Sequence, residues 1–172
     1  MRSRNVIQID ITNEQSRLPI DEQRLRAAVA AVLAGEGRSA ATISVAVVDD
    51  PTIHELNRRF LAHDYPTDVL SFVLEESTAG LEGEIIVSAD TAAASAPRYG
   101  WPATDELLLY VIHGTLHLVG YNDHEPADIA RMRAAEKRYL AQCGLQAQDD
   151  SASSRPDRSG REPQLLGEGN QP

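Results

Sequence analysis

Apolar and polar residues alternate from Asn5 to about Thr12, with Val6, Ile7, Ile9 and Ile11 as the apolar set. A period near two predicts a strand rather than the apolar core of a signal peptide. The period then lengthens. Asp21 opens a stretch with Leu25, Val29, Val32 and Leu33 on one helical face, and Gly35 stands where a terminating glycine belongs. A second strand is expected over Ala41–Val48. Asp50-Pro51 then reads as an N-cap with proline at the first helical position, leading a helix that carries Ile53, Leu56, Asn57 and Phe60. Val69–Leu74 and Gly83–Val87 read as a third and fourth strand. Ser88 caps a helix over Ala89–Arg98. Pro102 and Thr104 begin another, with Asp105 and Glu106 in the first turn, where the helix dipole favours acids, and it runs to about Val119. A last helix, Pro126–Gln142, carries Ile129, Met132 and Leu140.

The expected architecture is one α/β (α+β) domain over residues 1–145, with about four strands in a mixed sheet packed with about five helices. The order of the strands is not readable from the pattern. From 146 to 172 the composition changes to Ser, Asp, Arg, Gly, Pro and Gln, with Leu165-Leu166 as its main aliphatic content. Such a segment cannot offset its ordering entropy by burial, so a disordered tail is expected.

Composition narrows the function classes. A chain of 172 residues suffices for one domain with a real core. No window approaches the roughly 18 consecutive apolar residues of a membrane span. The lone Cys143 leaves neither an internal disulfide nor a cysteine-rich zinc site, and a cytoplasmic protein is expected. A net charge of -10 argues against a broadly basic nucleic-acid surface, though His54, Arg58, Arg59 and His63 cluster in one stretch. That cluster reads either as a local basic patch or as a solvated helix face.

The chemistry concentrates in His113-Gly114-Thr115-Leu116-His117-Leu118-Val119-Gly120-Tyr121-Asn122-Asp123-His124. Histidines four apart on a helix share a face, and two imidazoles at that spacing can converge on one metal. Gly120 supplies the positive φ that ends the helix, and the returning chain brings Asp123 or His124 within reach as a third ligand. The helix is apolar nearly all round, from Leu107 to Leu118, and so should be buried. Buried imidazoles need partners, so the metal site is placed at the end of a buried helix. In the His-Glu-x-x-His motif of metallopeptidases a glutamate follows the first ligand as general base; here that position is Gly114, which weakens a peptidase reading.

This segment resembles the His-Gly-x-Leu-His-Leu-x-Gly-Tyr-Asp-His signature of the YbeY family of ribosomal RNA maturation endoribonucleases. Two further blocks agree in order: Leu56-Asn57 through Pro66-Thr67-Asp68-Val69-Leu70-Ser71-Phe72, and Gly83-Glu84-Ile85-Ile86-Val87-Ser88. Met132 and Glu136 in the last helix also fit. The resemblance covers about residues 5–145. It implies a metal-dependent endoribonuclease with one zinc, acting on single-stranded RNA, in 3′-end maturation of small-subunit (16S) rRNA and in ribosome quality control. The expected partners are the rRNA precursor, the small ribosomal subunit and its assembly proteins, with neither membrane nor DNA.

The chain departs from the family pattern twice. Read without a gap, Asp123 falls where the family has its third histidine, and His124 lies one place beyond; either is a candidate ligand beside His113 and His117. Leu61 stands where the family has an arginine. Arg58, three residues earlier on a similar face, is the expected substitute, and His113 and Arg58 are the expected catalytic residues. The rival readings are a ribosome-associated RNA-binding factor with a structural metal, and a metal-dependent hydrolase of another substrate such as a peptide.

Overall fold

The computed structural model describes residues 5–146. The expected tail, apart from Gln146, lies outside the described residues. Four strands and five helices follow in the order β1 (Ile7–Asn13), α1 (Glu22–Gly35), β2 (Ala41–Val48), α2 (Asp50–Leu61), β3 (Val69–Ser77), β4 (Gly80–Ser88), α3 (Ala89–Tyr99), α4 (Ala103–Leu118) and α5 (Pro126–Gln142). The sheet order is β1-β2-β4-β3. β1 pairs parallel with β2 and β2 parallel with β4, while β3 runs antiparallel to β4. The sheet is therefore mixed, as expected. β3 and β4 are longer than their apolar runs suggest, because both extend through polar residues into a hairpin turned at Thr78 and Ala79.

Alternation along the strands sorts their side chains onto two faces. Ile43, Val45 and Val47 of β2, Ile85 and Val87 of β4 and Val69 of β3 join α1, α3, α4 and α5 in the main core. Val48, Leu70, Phe72 and Ile86 point the other way and meet Ile53 of α2 in a smaller cluster. Every residue of α4 from Glu106 to Leu118 is buried, as its all-round apolar pattern requires.

Two helix ends differ from expectation. The N-cap of α2 is Asp49, whose carboxylate accepts from the Thr52 N–H at 2.9 Å. Asp50 is the first helical residue and instead ties two helix starts together, accepting from the Ser88 and Thr91 hydroxyls. Gly35 is the last helical residue of α1, and the left-handed turn falls at Gly37, with φ 73°. Gly35 is small for another reason: a Cβ there would lie 2.2 Å from the Tyr139 hydroxyl oxygen.

Candidate metal centre

Helix α4 lies almost directly on the sheet. A Cβ at Gly114 would meet the Ile85 side chain at 2.8 Å, the Ser71 hydroxyl oxygen at 3.0 Å and the Val69 side chain at 3.1 Å. The Ser71 hydroxyl donates to the Gly114 carbonyl at 3.2 Å, pinning helix to strand. A glutamate cannot occupy this position, so the missing peptidase base has a packing cause. With Gly114 turned to the sheet, His113 and His117 are rotated to one side and face each other.

Their Nε2 atoms stand 2.9 Å apart. Both rings are only a few per cent exposed. His113 Nδ1 donates to the Glu136 carboxylate of α5 at 2.6 Å, and His117 Nδ1 donates to the Tyr121 carbonyl at 2.9 Å. A carboxylate and a carbonyl both accept, so each Nδ1 carries a proton, and in the neutral form of such a ring Nε2 presents a lone pair. Gly120, with φ 106°, stops the helix and returns the chain. Asp123 then comes in at 3.5 Å from His117 Nε2 and 3.6 Å from His113 Nε2.

Asp123 is buried, and neither of its carboxylate oxygens has a hydrogen-bond partner. Burial pushes its carboxyl up, and only positive charge at the neighbouring His117, His113 and His124 pulls it below the usual carboxylate range. A buried, ionised, unpaired carboxylate facing two imidazole lone pairs is strongly unfavourable without a cation. Donor atoms from His113, His117 and Asp123 all lie within 4.8 Å of one another, and this group can hold a metal ion. Two nitrogens and one oxygen make an ordinary donor set for zinc. The Nδ1 bonds are the outer contacts that orient imidazole ligands toward a metal.

The structure brings Asp123 rather than His124 to the histidine pair; His124 is exposed beside it. Arg58 is exposed on α2 and bonds Glu55 at 2.6 Å. Leu61 turns inward and packs on the smaller cluster, so its apolar character has a local reason. Trp101 packs against the main core and donates from its indole to Glu106 at 2.7 Å. Buried Asn57 bonds backbone, donating to the Tyr65 carbonyl at 2.9 Å. The part played by Glu136 was not read from the pattern of the sequence. It lies 23 positions from His113, and the signal for it was its fit to the family pattern in the last helix.

Comparison with known proteins agrees with the geometry. The family model for endoribonuclease YbeY matches residues 10–144. An endoribonuclease YbeY of Rhodopirellula baltica is 44% identical over 138 residues, covering 77% of this chain and 71% of that protein. That of Desulfitobacterium hafniense is 39% identical over 154 residues, covering 80% and 98%. A solution structure of a Thermotoga maritima protein superposes with a TM-score of 0.57 at 28% identity, covering 91% of this chain and all of that one. With the matched region running through the whole helix–sheet body and its buried His-His-Asp group, the chain belongs to the endoribonuclease YbeY family.

Proposed function

We propose that the protein is a zinc-dependent, single-strand-specific endoribonuclease. Its substrate is the precursor of small-subunit rRNA, and its work is 3′-end maturation and ribosome quality control in the cytoplasm, beside the small ribosomal subunit and its assembly proteins. The observation that carries the reading is the convergence of three lone-pair donors, two of them oriented through their far nitrogens and the third a buried carboxylate with no hydrogen-bond partner.

In this reading His113, His117 and Asp123 hold the ion, and Glu136 and Tyr121 keep the two rings in the binding tautomer. Zinc supplies Lewis acidity toward a phosphodiester group. Asp123 in place of a third imidazole lowers the net charge of the centre and makes it a weaker Lewis acid. Arg58 is the cation available to a phosphate once it swings from Glu55, since its side chain is 59% exposed. Three protein donors leave a fourth position of a tetrahedral ion for substrate or water, as a catalytic site requires.

A binding factor with a structural metal is the second reading, favoured by Leu61 packing inward where the family has an arginine. Cleavage of a single-stranded rRNA fragment by protein of known metal content, beside His117→Ala, separates the two. The enzyme reading expects about one zinc and cleavage in the wild type, and loss of both in the variant. A fully metallated wild type that binds the fragment without cutting it supports the binding factor. One equivalent of zinc retained by His117→Ala refutes the site.

A further inference from the structure

The segment between α2 and β3 carries two rings that the metal centre does not use. The His63 and Tyr65 rings lie nearly parallel, 12° apart in plane, with centroids separated by 5.4 Å. The Tyr65 hydroxyl is 3.3 Å from His63 Nδ1. Tyr65 is 45% exposed.

The loop beneath them is held on both sides. Ala62 ends α2 in a left-handed conformation, with φ 56°. The His63 N–H donates to the Asn57 carbonyl at 3.3 Å. The Asn57 side chain, 1% exposed, donates to the Tyr65 carbonyl at 2.9 Å. His54 and Asp64 pair at 2.8 Å, and Thr67 and Asp68 are already buried. An aromatic pair carried on a backbone bonded at His63 and at Tyr65 is preorganised, and part of its ordering cost has been met before any ligand arrives.

We propose that His63 and Tyr65 form a stacking subsite for an unpaired nucleobase, a deepening of the RNA reading above on which it rests. Charge does not explain the display. Arg58 and Arg59 are balanced here by Glu55 and Asp64, and Arg58 and His54 already bond those acids. Leu61 removes the cation that the family pattern places at the start of this loop. Apart from Arg58, the segment offers ring surface, and every base presents a π-face, so stacking holds single strands and tolerates any sequence. A base inside a duplex has no free face to offer. The subsite is also within reach of the metal centre. Four residues, spanning at most about 14 Å, lead from Tyr65 to Val69. The Val69 side chain abuts Gly114, next to His113.

The test uses the zinc-loaded protein and a short single-stranded oligoribonucleotide, intact or with one abasic position walked along it. Tyr65→Ala is expected to raise KM about tenfold, in the range of a lost base stack, with the zinc content intact. Tyr65→Phe, which keeps the ring, is expected to restore most of the loss. One abasic position is expected to weaken the wild type as much as Tyr65→Ala does, with no further loss when the two are combined. Equal KM values for wild type and Tyr65→Ala, with the wild type cutting normally, overturn the stacking subsite and leave the RNA reading intact. A metallated wild type that neither binds nor cuts any of these strands overturns both.

Discussion

The two faces of the sheet are built to different standards. One is covered by α1, α4, α5 and part of α3 and contains nearly all of the large side chains that are fully buried. Among the described residues the other has α2 alone. Its cluster holds five buried residues, and a groove of about 470 Å³ stays open beside it, lined by Leu56, Phe60, Phe72 and Leu74 with Glu14 and Glu84 among the polar residues. The metal centre belongs to the first face. Histidine lone pairs and an unpartnered carboxylate keep their alignment only where packing allows no alternative rotamer and water is excluded. The loop with the exposed Tyr65 leaves α2 and leads into β3, whose Val69 lies against Gly114 of α4. Rigid packing is thus concentrated on the face that holds the metal centre, and the thinner face leaves apolar surface open.

The same truncation on each side breaks or sharpens this contrast. Leu108→Ala, in α4 at full burial, is expected to cost about 2–5 kcal/mol in urea unfolding. Gly114→Ala places a methyl group against Ile85 and Val69 and is expected to cost about 1–3 kcal/mol. It should also displace the His113 ring, read as weaker zinc binding in a competition titration. Glu136→Gln removes the charge that holds His113 and leaves the core packed. Zinc affinity should fall about 10–100-fold, with little change in the melting temperature of the zinc-free protein. Leu74→Ala, on the groove side and half exposed, should change stability by less than about 0.5 kcal/mol. A loss from Leu74→Ala as large as that from Leu108→Ala would remove the distinction between the faces.

Much of this organisation was legible because local pattern and burial agree. The alternation of β2 predicts which of its residues enter each cluster, and the all-round apolar character of α4 predicts its burial. His113 and His117 were readable because their partnership is set by helical periodicity. The choice between Asp123 and His124 was not, since adjacent residues in a loop differ only in where the backbone aims them. Glu136 makes its contact through tertiary docking of α5 on α4, for which no local period exists. The cap of α2 was misplaced by one residue because Asp49 and Asp50 are chemically equal there; Ser88 and Thr91, distant in sequence, take up the second carboxylate. Gly35 was read as a turn residue although the tyrosine ring lying against it is the constraint.

The carboxylate of Glu36, just past α1, accepts from the hydroxyls of Tyr121 at 3.2 Å and Tyr139 at 2.7 Å, and from Arg138 at 2.7 Å. The carbonyl of that same Tyr121 orients His117. A residue from the first quarter of the described chain and two from the last described helix therefore meet at the residue that orients His117. During synthesis, a nascent chain that has exposed both histidines still lacks Arg138, Tyr139 and the Glu136 that fixes His113. The donor geometry of the candidate metal centre is consequently complete only after α5 has been made and has docked on α4.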